Sequence, residues 1–110
     1  MRRALAAPLV AAGASAGAPV SAQEREAALA VFEQGRQQYH RTCAQCHGRN
    51  LVNAGVTTYD LRKFPEDQRE RFFQSVTQGK GNMPSFADAL DEKQLVALWA
   101  YVSRRGKTPE

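Results

Sequence analysis

Residues 40–47 read HRTCAQCH, and these eight positions hold both cysteines and both histidines of the 110-residue chain. His40, Cys43, Cys46 and His47 can write a disulfide, a zinc site, a thiol redox site or a haem anchor, and each demands different surroundings. A Cys43–Cys46 disulfide closes almost no loop and would stabilise little. A thioredoxin-like dithiol follows a strand and opens a helix, whereas the residues before Cys43 have helical spacing. A zinc ion needs a fourth ligand at a sensible distance, and the neighbours Cys46 and His47 chelate one tetrahedral ion poorly.

The order of the letters suits the fourth writing. Cys-x-x-Cys-His is the haem attachment pattern. Two thiols three residues apart on a helical turn can each form a thioether with one vinyl group, and the adjacent His47 is then directed at the iron as proximal ligand. The dithiol, disulfide and zinc readings stay open beside it.

A haem iron next asks for a sixth ligand. Apart from Met1 the chain has one methionine, Met83, in the stretch GKGNMPSF at 79–86. A thioether favours ferrous iron more than a second imidazole does, so Met/His ligation raises the reduction potential. A lone methionine is ordinarily core filler, but this one sits in a polar, Gly-rich turn rather than on an apolar stripe. His40 is the rival. It lies only three residues before Cys43, which tethers it on the proximal side, and it reads as a partly exposed helix-end residue with no assigned role. Lys80 is a further candidate, at high pH.

Residues 1–22, MRRALAAPLVAAGASAGAPVSA, read as a cleavable secretory signal peptide. Arg2 and Arg3 give a basic start, the segment to Ala18 is apolar and small, and Val20-Ser21-Ala22 suits a signal peptidase. Pro8 and Gly13 argue against a transmembrane helix. Residues 23–110 are then the mature domain, expected in the periplasm with no stable membrane insertion. The whole chain carries +4; without Arg2 and Arg3 it has 13 basic and 11 acidic side chains, a net +2. That excess is too small for the dense basic face that nucleic acid requires. A domain of this size often leans on a metal, disulfides or a cofactor to complete its core.

Three helices are expected. Over 24–39, Ala28, Phe32, Gly35 and Tyr39 share one face. Over 65–77, Pro65 opens the segment, Glu66 and Asp67 occupy its first turn, and Gly79 follows its end. Over 91–104, Asp91 and Gln94 have capping-box spacing, Leu90 and Leu95 fit a hydrophobic staple, and Leu95, Leu98 and Val102 make the inner stripe. Arg104 and Arg105 suit the negative end of that helix. No segment alternates as a strand, so the class is all-α. The loop over 48–64 is long for a compact domain and needs something to wrap around.

Together these residues resemble the class I c-type cytochromes over nearly all of positions 24–105. Gly35 and Tyr39 match the family's glycine and aromatic on the first helix, and Leu98 and Tyr101 match its apolar and aromatic positions on the last. Val76, Gly79 and Met83-Pro84 match its distal loop. The resemblance implies the cytochrome c fold, with three main helices and long loops wrapped around one covalently bound haem c. It implies first and last helices crossing near a right angle, with Gly35 allowing close approach. Cys43 and Cys46 would carry the thioethers, and His47 and Met83 would be the axial ligands. One departure stands out. The family's Pro-x-Leu, whose proline carbonyl accepts from the proximal histidine, is here Tyr59-Asp60-Leu61. A carbonyl does not require proline, so Tyr59 is expected to supply the acceptor.

The implied activity is one-electron transfer without catalysis, through an exposed haem edge near Ala44, Gln45 and the Met83-Pro84 turn. Arg49 is expected to meet a haem propionate. Arg41 and Lys80 are candidates to steer an acidic partner, and Trp99 is expected to pack in the core, with the first helix or the haem as its neighbour. The stretch 57–86 is similar to small cytochromes that accept electrons from pyrroloquinoline quinone-dependent alcohol dehydrogenases. The expected protein is a monomer with a dehydrogenase as donor and an oxidase or another cytochrome as acceptor. The alternatives are a haem subunit of a dehydrogenase complex, or a haem enzyme or sensor with a labile sixth ligand.

Overall fold

Ser21 caps the first helix, its hydroxyl accepting from the Glu24 N–H at 3.1 Å. From there α1 runs over Ala22–Thr42, longer at both ends than the apolar spacing alone indicated. The structure is a computed structural model and describes residues 18–53 and 58–109. Most of the predicted leader, part of the 48–64 loop and residue 110 lie outside the described residues.

After α1 the chain makes a short helix, α2 (Ala44–His47), which carries the second half of the motif. Two single 3-10 turns follow, Arg49–Leu51 and Leu61–Lys63. Helix α3 spans Arg69–Gln78 and α4 spans Glu92–Ser103. The described residues contain no strand; their only bridge pairs Lys80 with Met83. The all-α expectation holds.

Two helix boundaries show which local signals governed. The Asp91–Gln94 capping box is complete, with Gln94 N–H on the Asp91 carboxylate at 2.7 Å and Asp91 N–H on the Gln94 side chain at 2.9 Å. The start of α3 differs from the sequence reading. Pro65 does not open the helix; it lies four residues ahead, in a turn closed by Gln68 N–H on the Pro65 carbonyl at 3.2 Å. The buried Phe64 ring, set edge-on against Phe72 and Trp99, holds the chain there before it turns into the helix.

The core is built where α1 meets α4. Tyr101 packs on Phe32 and Tyr39, with ring centroids 5.4 and 5.2 Å apart. Tyr39, Leu51 and Leu98 are fully enclosed. Gly35 permits the approach, because a Cβ there would overlap the Ala97 carbonyl and lie 3.1 Å from Tyr101 Cβ. A second group, Phe64, Phe72 and Trp99, joins α3 to α4. Trp99 therefore makes its ring contacts with Phe64 and Phe72, not with an aromatic of α1. Arg104 and Arg105 do not cap α4's own carbonyls. Arg104 turns to the Lys107 carbonyl, and Arg105 Nε donates to the Arg62 carbonyl at 2.9 Å, tying the chain end to the loop before α3.

Candidate functional site

The end of α1 delivers Cys43, and one further turn delivers Cys46 and His47. The Cys43 N–H reaches the Tyr39 carbonyl at 2.7 Å, and the His47 N–H reaches the Cys43 carbonyl at 2.9 Å. Backbone bonds thus hold all three motif residues on two consecutive helical turns. Gly48 then breaks the direction with φ +90°, where a Cβ would overlap the Val52 carbonyl. Only glycine accommodates that return.

The two thiols are free and differently placed. Cys43 packs against the apolar core, and burial pushes its thiol up to about 12. Cys46 is exposed. Among the described residues, which include both cysteines and both histidines, no three His, Cys, Asp or Glu side chains gather as a bare metal ion would need.

His47 Nδ1 lies 3.0 Å from the Tyr59 carbonyl. A carbonyl only accepts, so Nδ1 carries the proton and the lone pair is left on Nε2. The Tyr59 side chain takes no part in this bond; the residue is 49% exposed and its ring meets Phe64 edge-on. Arg49 is exposed and makes no ion pair among the described residues.

Met83 sits in a tight clasp after α3. Lys80 N–H donates to the Met83 carbonyl at 3.1 Å, and Met83 N–H donates to the Lys80 carbonyl at 2.9 Å. Gly79 and Gly81 take positive φ on either side of Lys80. Ser85 Oγ donates to the Thr77 carbonyl, and Phe86 N–H reaches the Val76 carbonyl at 2.8 Å, so the clasp is tied to the end of α3. The Met83 side chain is half-buried and packs against the core with Leu61, Phe73 and Phe86.

His40 has partners that sequence reasoning missed. Its Nδ1 lies 2.8 Å from the Arg36 carbonyl, and its Nε2 accepts from the Asn50 N–H at 3.1 Å. The only advance sign was its place one residue after Tyr39. Tyr39 makes the parallel contact, its hydroxyl donating to the Gly48 carbonyl at 2.6 Å.

The donor set suits a covalent haem: two unpaired thiols on adjacent turns, an imidazole with a fixed tautomer and a free Nε2, and a partly buried thioether in a pinned turn. Comparison with known proteins agrees. The family described as cytochrome C oxidase, cbb3-type, subunit III, matches residues 30–102. Cytochrome c6 of Microcystis aeruginosa is 38% identical over 72 residues, covering 62% of this chain and 89% of that protein. A quinohemoprotein alcohol dehydrogenase, ADH-IIG of Pseudomonas putida, is 36% identical over 78 residues, which are 69% of this chain but 11% of that enzyme. The crystal structure of cytochrome c6C from Synechococcus sp. PCC 7002 superposes with a TM-score of 0.56 at 32% identity, covering 66% of this chain and 94% of that one. The chain therefore belongs to the cytochrome c family that the subunit III match describes, as a small class I c-type cytochrome: an electron carrier with one covalently bound haem.

Proposed function

We propose that this protein is a periplasmic one-electron carrier in which Cys43 and Cys46 hold the haem by thioethers and His47 and Met83 are its axial ligands. The observation that carries the reading is the His47–Tyr59 hydrogen bond, which occupies Nδ1 and leaves Nε2 as the ligating nitrogen of a residue directly after Cys46. The haem supplies an iron that accepts and gives up one electron.

The chain's own residues set the conditions for that exchange. The Tyr59 carbonyl stops the His47 ring from turning, as outer hydrogen bonds to ligating histidines do. The Lys80–Met83 clasp presents the thioether from a turn closed by two backbone bonds, so little has to move between oxidation states. Methionine favours the ferrous state and raises the potential. Arg49, exposed and without an ion-pair partner among the described residues, is available to a propionate.

Charge supports an acidic partner at this end of the molecule. Between Glu33 and Asp60 there is no acidic residue, and between Glu70 and Asp88 there is none either; Arg41, Arg49 and Lys80 lie within these stretches. Such a surface steers association and makes its rate depend on salt. A dehydrogenase donor is supported by the likeness to a segment of the Pseudomonas putida quinohemoprotein alcohol dehydrogenase. The same likeness favours one alternative, a haem subunit bound within a dehydrogenase complex, which predicts co-purification at high salt. Among the described residues no helix is long and apolar enough to cross a membrane. Cleavage after Ala22 would leave Gln23 as the mature N-terminus, a point that mass spectrometry of the exported protein decides.

The ligand assignment is tested with Met83→Ala. The ferric wild type should show the weak methionine–iron charge-transfer band, and the variant should lose it and have a lower midpoint potential. A variant spectrum identical to wild type would remove Met83 from the iron.

A further inference from the structure

Two successive residues at the end of α1 grip the loop that follows His47. Tyr39 holds the Gly48 carbonyl, and His40 holds the Asn50 N–H. The second grip is made to strained backbone: Asn50 has φ 55° and Leu51 has φ 65°, both in the left-handed region, and the Leu51 side chain is fully enclosed. The His40 ring is wedged edge-on between Tyr39 and Tyr101, at centroid distances of 5.2 and 6.0 Å. Its Nδ1–H donates back to the Arg36 carbonyl, so Nε2 accepts from Asn50 only while the imidazole is neutral.

The geometry points to His40 as a proton-operated latch: neutral, it holds the loop behind His47 in place; protonated, it releases Asn50 and loosens that loop. The inference rests on His47 being the proximal ligand, because the loop it governs is the return from that residue. Imidazole is the side chain that changes charge across neutral pH, and a protonated ring has no acceptor to offer. The groups around the ring can be named element by element. From α4 comes Tyr101, whose phenol burial holds above its ordinary value and hence neutral. From α1 come Tyr39, also held neutral mainly by burial, Arg36, whose guanidinium is engaged with Glu33, and Arg41 one residue on. From the loop comes Arg49, next to Asn50. His40 is thus a positioning residue, acting on the haem side only through the loop.

Amide exchange at Asn50 in the haem-loaded protein tests this directly. After correction for intrinsic exchange, protection should fall about fivefold from pH 8 to pH 5, the effect of one ordinary hydrogen bond. His40→Gln keeps both bonds, with Oε1 facing Asn50 and the amide facing Arg36, but cannot titrate; its protection should stay at the wild-type pH 8 level throughout. His40→Ala should show the low level at both pH values. In parallel, the midpoint potential should rise as pH falls, because a nearby proton favours ferrous iron, and the rise should be smaller in His40→Gln. PH-independent protection in the wild type would overturn the latch, as would a full pH response in His40→Gln; an equal rise of potential in both proteins would overturn its coupling to the iron. Failure of the ligand assignment reads out separately, in the absorption spectrum.

Discussion

Gly35→Ala sets two physical effects of opposite sign against each other. Position 35 lies in the interior of a helix, where alanine is favoured over glycine by ~1 kcal/mol. Propensity alone therefore predicts stabilisation. The packing predicts the reverse. The new Cβ would overlap the Ala97 carbonyl oxygen and lie 2.7 Å from its carbon, and both are α4 backbone that no rotamer change can move. Relief requires α1 and α4 to part by ~1 Å, a displacement that already forfeits a quarter to a half of each atomic contact along the seam. The seam includes the Phe32–Tyr101 and Tyr39–Tyr101 pairs, each worth ~1 kcal/mol beyond buried area. Overpacking of this kind typically costs ~1–3 kcal/mol. Adding the partial loss of two ring pairs and subtracting the propensity gain leaves a net loss of ~2 kcal/mol. Denaturant titration of the haem-loaded protein, followed by far-UV dichroism, should show a lower midpoint with little change in slope. Thermal melts should fall too, by roughly 4–8 °C for each kcal/mol in a domain this small. A Gly35→Ala protein as stable as wild type would refute the close-approach argument.

Alkaline pH and the proximal acceptor give two further tests. Burial, aided by the nearby Cys43 and Tyr101, raises the Tyr39 phenol above its ordinary value of 10.0. The folded state therefore keeps a proton that the unfolded chain gives up, so this contribution is intact below pH 10 and declines as pH rises beyond it. Denaturant midpoints from pH 9 to 11 should fall in the wild type and fall less in Tyr39→Phe; equal slopes would show that another group titrates. Tyr59→Ala removes the ring of an exposed residue and leaves the carbonyl that His47 uses. Its visible spectrum and midpoint potential should stay near wild type; a large change in either would mean that the ring, not the carbonyl, sets the ligand.

How much of this was legible in the letters depends on the range of the interaction. The chemistry was local. Cys43, Cys46 and His47 are placed by bonds between near neighbours, and their order favours a haem before any tertiary contact is known. The α4 cap was equally legible, because Asp91 and Gln94 exchange hydrogen bonds across one turn. Met83 stood out for a related reason, as an apolar sulfur in a turn whose glycines take positive φ. Where the letters misled, a distant partner was deciding. Pro65 carries a good helix-start signal, yet Phe64 is buried against Phe72 and Trp99 and postpones the helix to Arg69. Arg105 suits the end of α4, yet it reaches the Arg62 carbonyl 43 positions away.

By itself, then, the sequence determined the class, the three main helices and the covalent haem motif, because each is written in spacings of three or four residues that the backbone repeats mechanically. The family resemblance implied the Tyr59 acceptor and the close approach at Gly35; only the tertiary structure decided that the Ala97 carbonyl is what Gly35 meets and that His40 holds Asn50. The contacts of His40, His47 and Gly35 join residues 10, 12 and more than 60 positions apart. A backbone carbonyl or N–H is present at nearly every residue, so which one a side chain will find depends on how the chain packs and leaves no mark in residue type.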